Sequence, residues 1–245
     1  MANHALVNPI AHKDIKIITE RNAKYGDNLW YALTFPREFR SAQAHYPIFF
    51  NKDPATGKFV SVALFGFKEK ENLFLDENGW HASYIPASVQ RHPFLIANQT
   101  VTEDGIEQKK RMLTLDMDSP RVSHVEGEPL FLPFGGNSDF LDKTASMMEA
   151  LHLGAVDGQK FSQTLADLDL LEPFTLDITL DNGSKNQMIG FYTINEDKLD
   201  NLTIEQLQTL KDAKYLQAIY MALASQSNIR ALIEKKNALV AAQAQ

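Results

Sequence analysis

The stretch SYIPASVQRHPFLI, residues 83–96, places an arginine and a histidine between two prolines. Arg91 presents a rigid fork of donors that suits a carboxylate or phosphate, and His92 can form a directed hydrogen bond. Prolines on both sides restrict the backbone, which favours a preorganised site. The structural alternative is that an arginine and a histidine at the end of a short helix bind its last carbonyl groups.

A second stretch, AHYPIFF at residues 44–50, combines the same residue types around another proline. Small-ligand sites have aromatic walls and a few convergent polar groups. We therefore predict that Arg91 and His92 lie beside residues 44–50 and that at least one of the two borders a pocket. The ligand-binding candidates are His45, Tyr46, Trp80, Tyr84, Arg91 and His92.

A weak metal motif lies near the start of the chain. His12 and Asp14, in HKD, match the His-x-Asp half of the facial triad of non-haem iron oxygenases. The third ligand would be His81, His92 or His124. Position 12 leaves little preceding chain to build the β-barrel that usually surrounds this triad. A turn before the IKIIT segment is the alternative, and we expect no cofactor.

Another weak signal is FGGNSD, residues 134–139, which could hold an anion with backbone amides at a helix N-terminus. It lacks the lysine and the spacing of a phosphate-binding loop. A turn leading into a helix is therefore the preferred interpretation. A serine elbow with flanking glycines, typical of many hydrolases, is absent from the sequence.

Composition bounds the class of protein. The net charge of −7 argues against a general affinity for nucleic acid, and the absence of cysteine excludes disulfides and thiolate chemistry. The apolar runs are much shorter than the roughly 20 residues of a transmembrane helix, and the start lacks the pattern of a classical signal peptide. We expect a soluble, cytoplasmic protein without a transmembrane segment, with surface association left open.

Charge and aromatic residues are unevenly distributed. Residues 1–100 carry a balance of +2 and the remaining residues −9. The first hundred residues also hold five of the seven histidines and both tryptophans. A recognition surface is expected there, although a β-rich core would give the same bias.

The pattern of the chain predicts strands first and helices later. Short spacers between the early strands favour antiparallel pairing. Asn137 or Ser138 should cap a helix that ends at Gly154, followed by a second helix up to Pro173. Asn182-Gly183 should turn a hairpin over residues 174–194, and Thr203 with Gln206 should form a capping box.

These elements predict an α+β fold: a mainly antiparallel sheet from the N-terminal half and hairpin 174–194, packed with C-terminal helices. The hairpin should join the sheet, because an isolated two-stranded hairpin is marginal in water. We expect a single domain over residues 1–245, β-rich in 1–135 and helix-rich in 137–245.

Several segments also carry a family resemblance. The chain resembles the SapC-like family of bacterial proteins, which is named after surface-array (S-layer) proteins. The resemblance extends over nearly the whole chain. It rests on the segments NLWYALTFPREF, HYPIFFNKDPATGKFVSVALFGF, ENLFLDENGWHASYIPASVQRHPFLI and GEPLF.

The resemblance implies an accessory role. Relatives often occur in gene neighbourhoods with TonB-dependent receptors, tryptophan-halogenase-like flavoproteins and cupin-type oxygenases, and the family has no established catalytic residues. We expect a non-enzymatic binding protein with a small-molecule or peptide ligand and protein partners. The alternatives are a surface-array component or its chaperone, and an iron-dependent oxygenase-like enzyme using His12 and Asp14.

Overall fold

The computed structural model describes residues 3–103 and 106–243. The chain groups into two compact units, one of Met1–Gly26 with Ala87–His152 and one of Asp27–Pro86 with Leu153–Gln245. Each unit therefore consists of two separate pieces of chain, and this division does not follow the β-rich and helix-rich halves of the sequence. The single-domain expectation stays a prediction.

Within the described residues the chain forms thirteen strands and seven α-helices. The strands are β1 (His4–Leu6), β2 (Lys16–Ile17), β3 (Tyr31–Leu33), β4 (Ile48–Lys52), β5 (Phe59–Leu64), β6 (Leu75–Asp76), β7 (Gly79–Trp80), β8 (Phe94–Glu103), β9 (Ile106–Asp116), β10 (Val122–Ser123), β11 (Glu128–Pro129), β12 (Leu171–Thr179) and β13 (Lys185–Ile194). The helices are α1 (Phe39–Ala42), α2 (Ala87–Gln90), α3 (Asp139–Asp167), α4 (Glu196–Asp200), α5 (Ile204–Asp212), α6 (Leu216–Ser225) and α7 (Asn228–Gln243).

The strand pairings in the described chain are antiparallel, as predicted, and the fold is α+β. They form four sheets rather than one. The first unit contains the sheets β1-β9-β8 and β10-β2-β11, and the second contains the five-stranded sheet β12-β13-β4-β5-β3 and the pair β6-β7. The early strands thus divide between two units, each of which buries its own apolar residues.

The core of the first unit is formed by strand residues and by the N-terminal half of α3. Ser138 caps this helix: its Oγ accepts a hydrogen bond from the Leu141 amide at 3.1 Å and donates one to the Pro129 carbonyl at 2.6 Å. One side chain thereby fixes the start of α3 against β11. The buried core residues are Ile15, Ile17, Phe94, Leu115, Leu130, Phe131, Leu141 and Met148.

The second unit contains the predicted hairpin, and the hairpin joins a sheet as predicted. β13 pairs with β4 through Phe191 opposite Asn51 and Tyr192 opposite Phe50. The turn has three residues rather than two, because the Leu180 amide binds the Ser184 carbonyl at 2.8 Å. Gly183 has φ of 80°, the left-handed conformation that closes such a turn.

The predicted end of a helix at Gly154 is wrong, because α3 continues without a break to Asp167. The reason is packing. A Cβ at Gly154 would lie 3.4 Å from the Phe35 ring, and a Cβ at Gly158 would lie 2.9 Å from it. Gly158 therefore allows an aromatic ring to approach the helix closely, Gly154 packs against the same ring, and neither glycine ends the helix.

A buried ion pair stabilises the second unit. Lys236 on α7 and Glu71 are 7% and 6% exposed, and their Nζ and Oε1 atoms lie 2.5 Å apart. The other carboxylate oxygen accepts a hydrogen bond from the Phe67 amide at 2.9 Å. Both oxygens of the buried carboxylate are thus bound, which a buried charge requires.

The two glycines of α3 give a matched pair of variants. Gly154→Ala should stabilise the protein by about 0.5–1 kcal/mol, because alanine favours the helical backbone. Gly158→Ala should lose that gain, since crowding of the Phe35 ring costs about 1–3 kcal/mol. Urea unfolding of both variants measures the difference. Equal stabilisation by both would contradict the packing explanation.

Lys236→Met should destabilise the protein by about 3–5 kcal/mol, because it leaves a buried carboxylate without its cation. The double variant Lys236→Met/Glu71→Gln should recover most of that loss. Glutamine keeps an oxygen for the Phe67 amide and carries no charge. Denaturant unfolding of both variants is the measurement, and a double variant as unstable as the single one would refute the account.

Candidate ligand-binding site

The first unit contains a cavity of about 400 Å³ lined by four basic side chains. They are Arg21, after β2, His92, after α2, Arg121, before β10, and Lys143 on α3. Among the described residues that line it, none is an aspartate or glutamate. We call it the basic cavity; its lining charge favours a negatively charged guest.

Other walls of the basic cavity are apolar. Ile17 and Phe94 contribute from strands, and Phe140 and Met147 from α3. Thr144 and Gln90 add neutral polar groups beside them. An apolar wall with a few convergent polar groups is the usual composition of a small-ligand pocket, and the volume lies at the lower end of the range for such pockets.

Arg121 is the most constrained of the basic residues. It is 1% exposed, and its Nη1 donates to the carbonyls of Ile18 and Glu20, both at 2.8 Å. Its guanidinium also lies 5.3 Å from the centre of the Tyr25 ring. An arginine remains charged in proteins, so this arrangement fixes a positive charge at the cavity wall.

The structure separates the roles of Arg91 and His92. Arg91 Nη1 donates to the Phe94 carbonyl at 2.9 Å, and burial lowers the pKa of its guanidinium. Arg91 therefore ties down the turn between α2 and β8. His92 lines the basic cavity, as expected for one of the pair.

Three of the predicted residues are joined by hydrogen bonds in the second unit, and a fourth, His45, binds the neighbouring Ser83. The Tyr46 hydroxyl donates to the Tyr84 carbonyl at 2.5 Å and accepts from Trp80 Nε1 at 2.9 Å. His45 Nε2 lies 2.6 Å from Ser83 Oγ. The cluster fixes residues 80–84 against the start of β4. Its role in ligand binding stays a prediction, as does its proximity to Arg91 and His92, which belong to the first unit.

The two tyrosines of this cluster resist ionisation. Tyr46 is fully buried, and burial raises the pKa of its phenol far above the ordinary value of 10.0. Burial also raises the pKa of Tyr84, and the nearby Glu38 carboxylate adds to the effect. Both phenols therefore stay neutral in the folded protein, and Tyr46 serves as a buried hydrogen-bonding centre.

The iron hypothesis does not fit the placement of its donors. His12 is buried and its Nδ1 accepts the Asn8 amide at 3.1 Å. The Asp14 side chain is 75% exposed and lies 3.9 Å from Lys13. Within residues 3–103 and 106–243, no three His, Asp or Glu side chains cluster as metal ligands would. The interpretation of HKD as a turn before β2 agrees with this geometry.

The FGGNSD segment forms the turn that precedes α3. The Leu132 amide donates a hydrogen bond to the Gly136 carbonyl at 3.0 Å, and Phe131 forms an antiparallel β-bridge with Asn137. Gly135 and Gly136 have φ of 92° and 87°, which glycine adopts at little cost. This arrangement agrees with the preferred interpretation of the segment as a turn.

A second cavity, of about 410 Å³, lies on another face of α3 in the same unit. Leu141, Ala145 and Met148 line it, whereas Phe140, Thr144 and Met147 line the basic cavity. Adjacent residues on α3 thus line different cavities. This separation provides matched control positions for variants in the basic cavity.

Of the basic residues that line the cavity, the sequence pointed to His92 and not to Arg21, Arg121 or Lys143. These residues lie far apart in the chain and belong to no recognisable motif. The sheet β10-β2-β11 and the first turns of α3 bring them together. The only hint in the sequence was the more positive charge of the first hundred residues, which contain Arg21 and His92.

The fold is α+β with antiparallel sheets, and the first unit contains a basic cavity with apolar walls. The described helices include none that is both long and apolar enough to cross a membrane. The sequence profile of the SapC family matches residues 7–232, and the chain belongs to the SapC family. Neither the curated proteins nor the solved structures contain a match to the chain.

Tyr46 gives a prediction about alkaline stability. Unfolding returns its pKa to 10.0, below the folded value, so the unfolded chain binds fewer protons above pH 10. The contribution of this pKa shift to the free energy of unfolding is complete below pH 10 and is lost as the pH rises through the folded pKa. Thermal unfolding should be measured between about pH 9 and about pH 11.5. The melting temperature should fall less steeply with pH for Tyr46→Phe than for the wild type.

At neutral pH, Tyr46→Phe should cost about 1–3 kcal/mol, because the Trp80 N–H loses its buried acceptor. Tyr220→Phe is the control, since the Tyr220 side chain is 56% exposed. It should leave both the stability and its pH dependence unchanged. Identical alkaline profiles for the wild type and Tyr46→Phe would contradict the prediction.

Proposed function

We propose that this SapC-family protein is a non-enzymatic binding protein that holds a small molecule in the basic cavity. The observation that carries the proposal is the convergence of Arg21, His92, Arg121 and Lys143 on one cavity with apolar walls. Such a cavity can hold and orient a ligand without breaking a bond in it.

The local structure around the cavity supports a preformed site. Arg121 is held by two backbone carbonyls, and the Arg91 hydrogen bond to Phe94 fixes the turn that carries His92. Ser138 caps the helix that presents Lys143 and Thr144. A site of this kind loses less conformational entropy when its ligand binds.

The wider role that we propose is accessory. The family resemblance implies action with uptake or modification systems, such as TonB-dependent receptors, tryptophan-halogenase-like enzymes and cupin-type oxygenases. A protein that holds a small molecule between such steps fits this role. Assembly as a surface-array component stays an alternative prediction, which light scattering of the purified protein would test.

A screen of neutral, cationic and anionic small molecules by ligand-observed NMR tests the binding function. Thr144→Phe should fill the basic cavity and abolish binding of the hits, whereas Ala145→Phe, one residue along α3, should retain it. Met147→Trp provides a second variant that fills the cavity if Thr144→Phe does not fold. The proposal is wrong if hits persist in the filled variants, or if the wild type binds nothing.

A further inference from the structure

We infer that the ligand of the basic cavity carries an oxyanion, a carboxylate or a phosphate, on a small apolar body. This inference rests on the proposed binding function and adds the chemical class of the ligand. The cavity combines positive charge with apolar walls, and both bear on the ligand.

Positive charge reaches the cavity from three separate parts of the first unit. Arg21 follows β2 and its Nη1 lies 3.5 Å from the Val89 carbonyl, which places it beside α2. Arg121 precedes β10, and Lys143 lies on the second turn of α3. These charged residues line one cavity from several elements, whereas charges along a single helix face would form a solvated stripe.

Arg121 makes the strongest case for an anion. A buried guanidinium interacts with a charged guest in a medium of low dielectric constant, where the attraction is several times stronger than in water. Its positive charge attracts carboxylate and phosphate groups, which carry their negative charge on oxygen atoms. The Ile18 and Glu20 carbonyls fix its orientation, so the guanidinium need not reorganise when the guest binds.

Lys143 supplies a charge of a different kind. It is exposed at the cavity and forms no ion pair within the described residues. The acidic residue beside it, Asp142, accepts a hydrogen bond from Asn137 Nδ2 at 2.8 Å. Lys143 can therefore move toward a guest without breaking an ion pair, whereas Arg121 is already fixed.

The apolar walls determine the rest of the ligand. Phe94 and Phe140 have ring centres 6.2 Å apart, and Ile17 and Met147 complete an apolar surface within the same cavity. A bare inorganic anion would leave this surface in contact with water. A guest with one aromatic or branched aliphatic group attached to its oxyanion would cover it.

Isothermal titration calorimetry with matched probes tests the inference. Hydrocinnamate and its neutral amide share a shape and differ in charge, and phenyl phosphate separates phosphate from carboxylate preference. We expect an acid probe to bind about tenfold tighter than the amide or better, the usual scale for a hydrogen bond to a charged group. Inorganic phosphate should bind more weakly than phenyl phosphate.

Lys143→Gln should weaken binding of the acid probes by about threefold or more and leave the amide unaffected, because the lysine acts only on charge. Lys160→Gln, the same change on the same helix outside the cavity, should affect neither probe. Equal affinities for acid and amide, abolished together by Thr144→Phe, would overturn the oxyanion inference and leave the binding function standing. Failure of all probes to bind the wild type would overturn the inference itself, and the broader fragment screen then decides the binding function independently.

Discussion

A polar group removed from water needs a partner, and this constraint determines how both units are built. Glu71 lies inside the second unit because Lys236 and the Phe67 amide bind its two oxygens. The Tyr46 hydroxyl is buried there because it bonds with Tyr84 and Trp80. In the first unit, Nη1 of the buried Arg121 binds two backbone carbonyls. Apart from the local bond between the Phe67 amide and Glu71, these bonds join segments that are distant in sequence, so they order the chain around them.

The two units satisfy this constraint with different results. In the second unit, the polar groups of the Tyr46 cluster bind one another and are enclosed by the rings of Phe65, Phe74 and Trp80. The Tyr46 ring is therefore part of a packed core. In the first unit, basic side chains surround open space instead. The aromatic and basic residues of the first hundred positions, which look like one recognition surface in the sequence, thus divide between the two units.

Features set by neighbouring residues could be predicted from the sequence. The Thr203–Gln206 capping box and the hairpin around Gly183 depend on chemistry within a few positions, and both are present. The end of a helix at Gly154 was predicted wrongly because Phe35, which packs against the helix there, lies far away in the chain. The basic cavity was not predicted for the same reason, because only tertiary structure brings Arg21, Arg121 and Lys143 together. His92 was found because prolines mark its turn.

The interleaved chain also imposes an order on biosynthesis. The strands β4 and β5 leave the ribosome early, but β13, which pairs with β4, is made about 140 residues later. Until then one edge of β4 has no strand beside it, and its apolar segment PIFF is a site for wrong pairing between nascent chains. The intervening chain, however, contains the second piece of the first unit, Ala87–His152. The first unit can therefore fold before β13 is made. Slow translation before β13 would leave time for that unit to fold, but it would also prolong the period in which one edge of β4 in the second unit is unpaired.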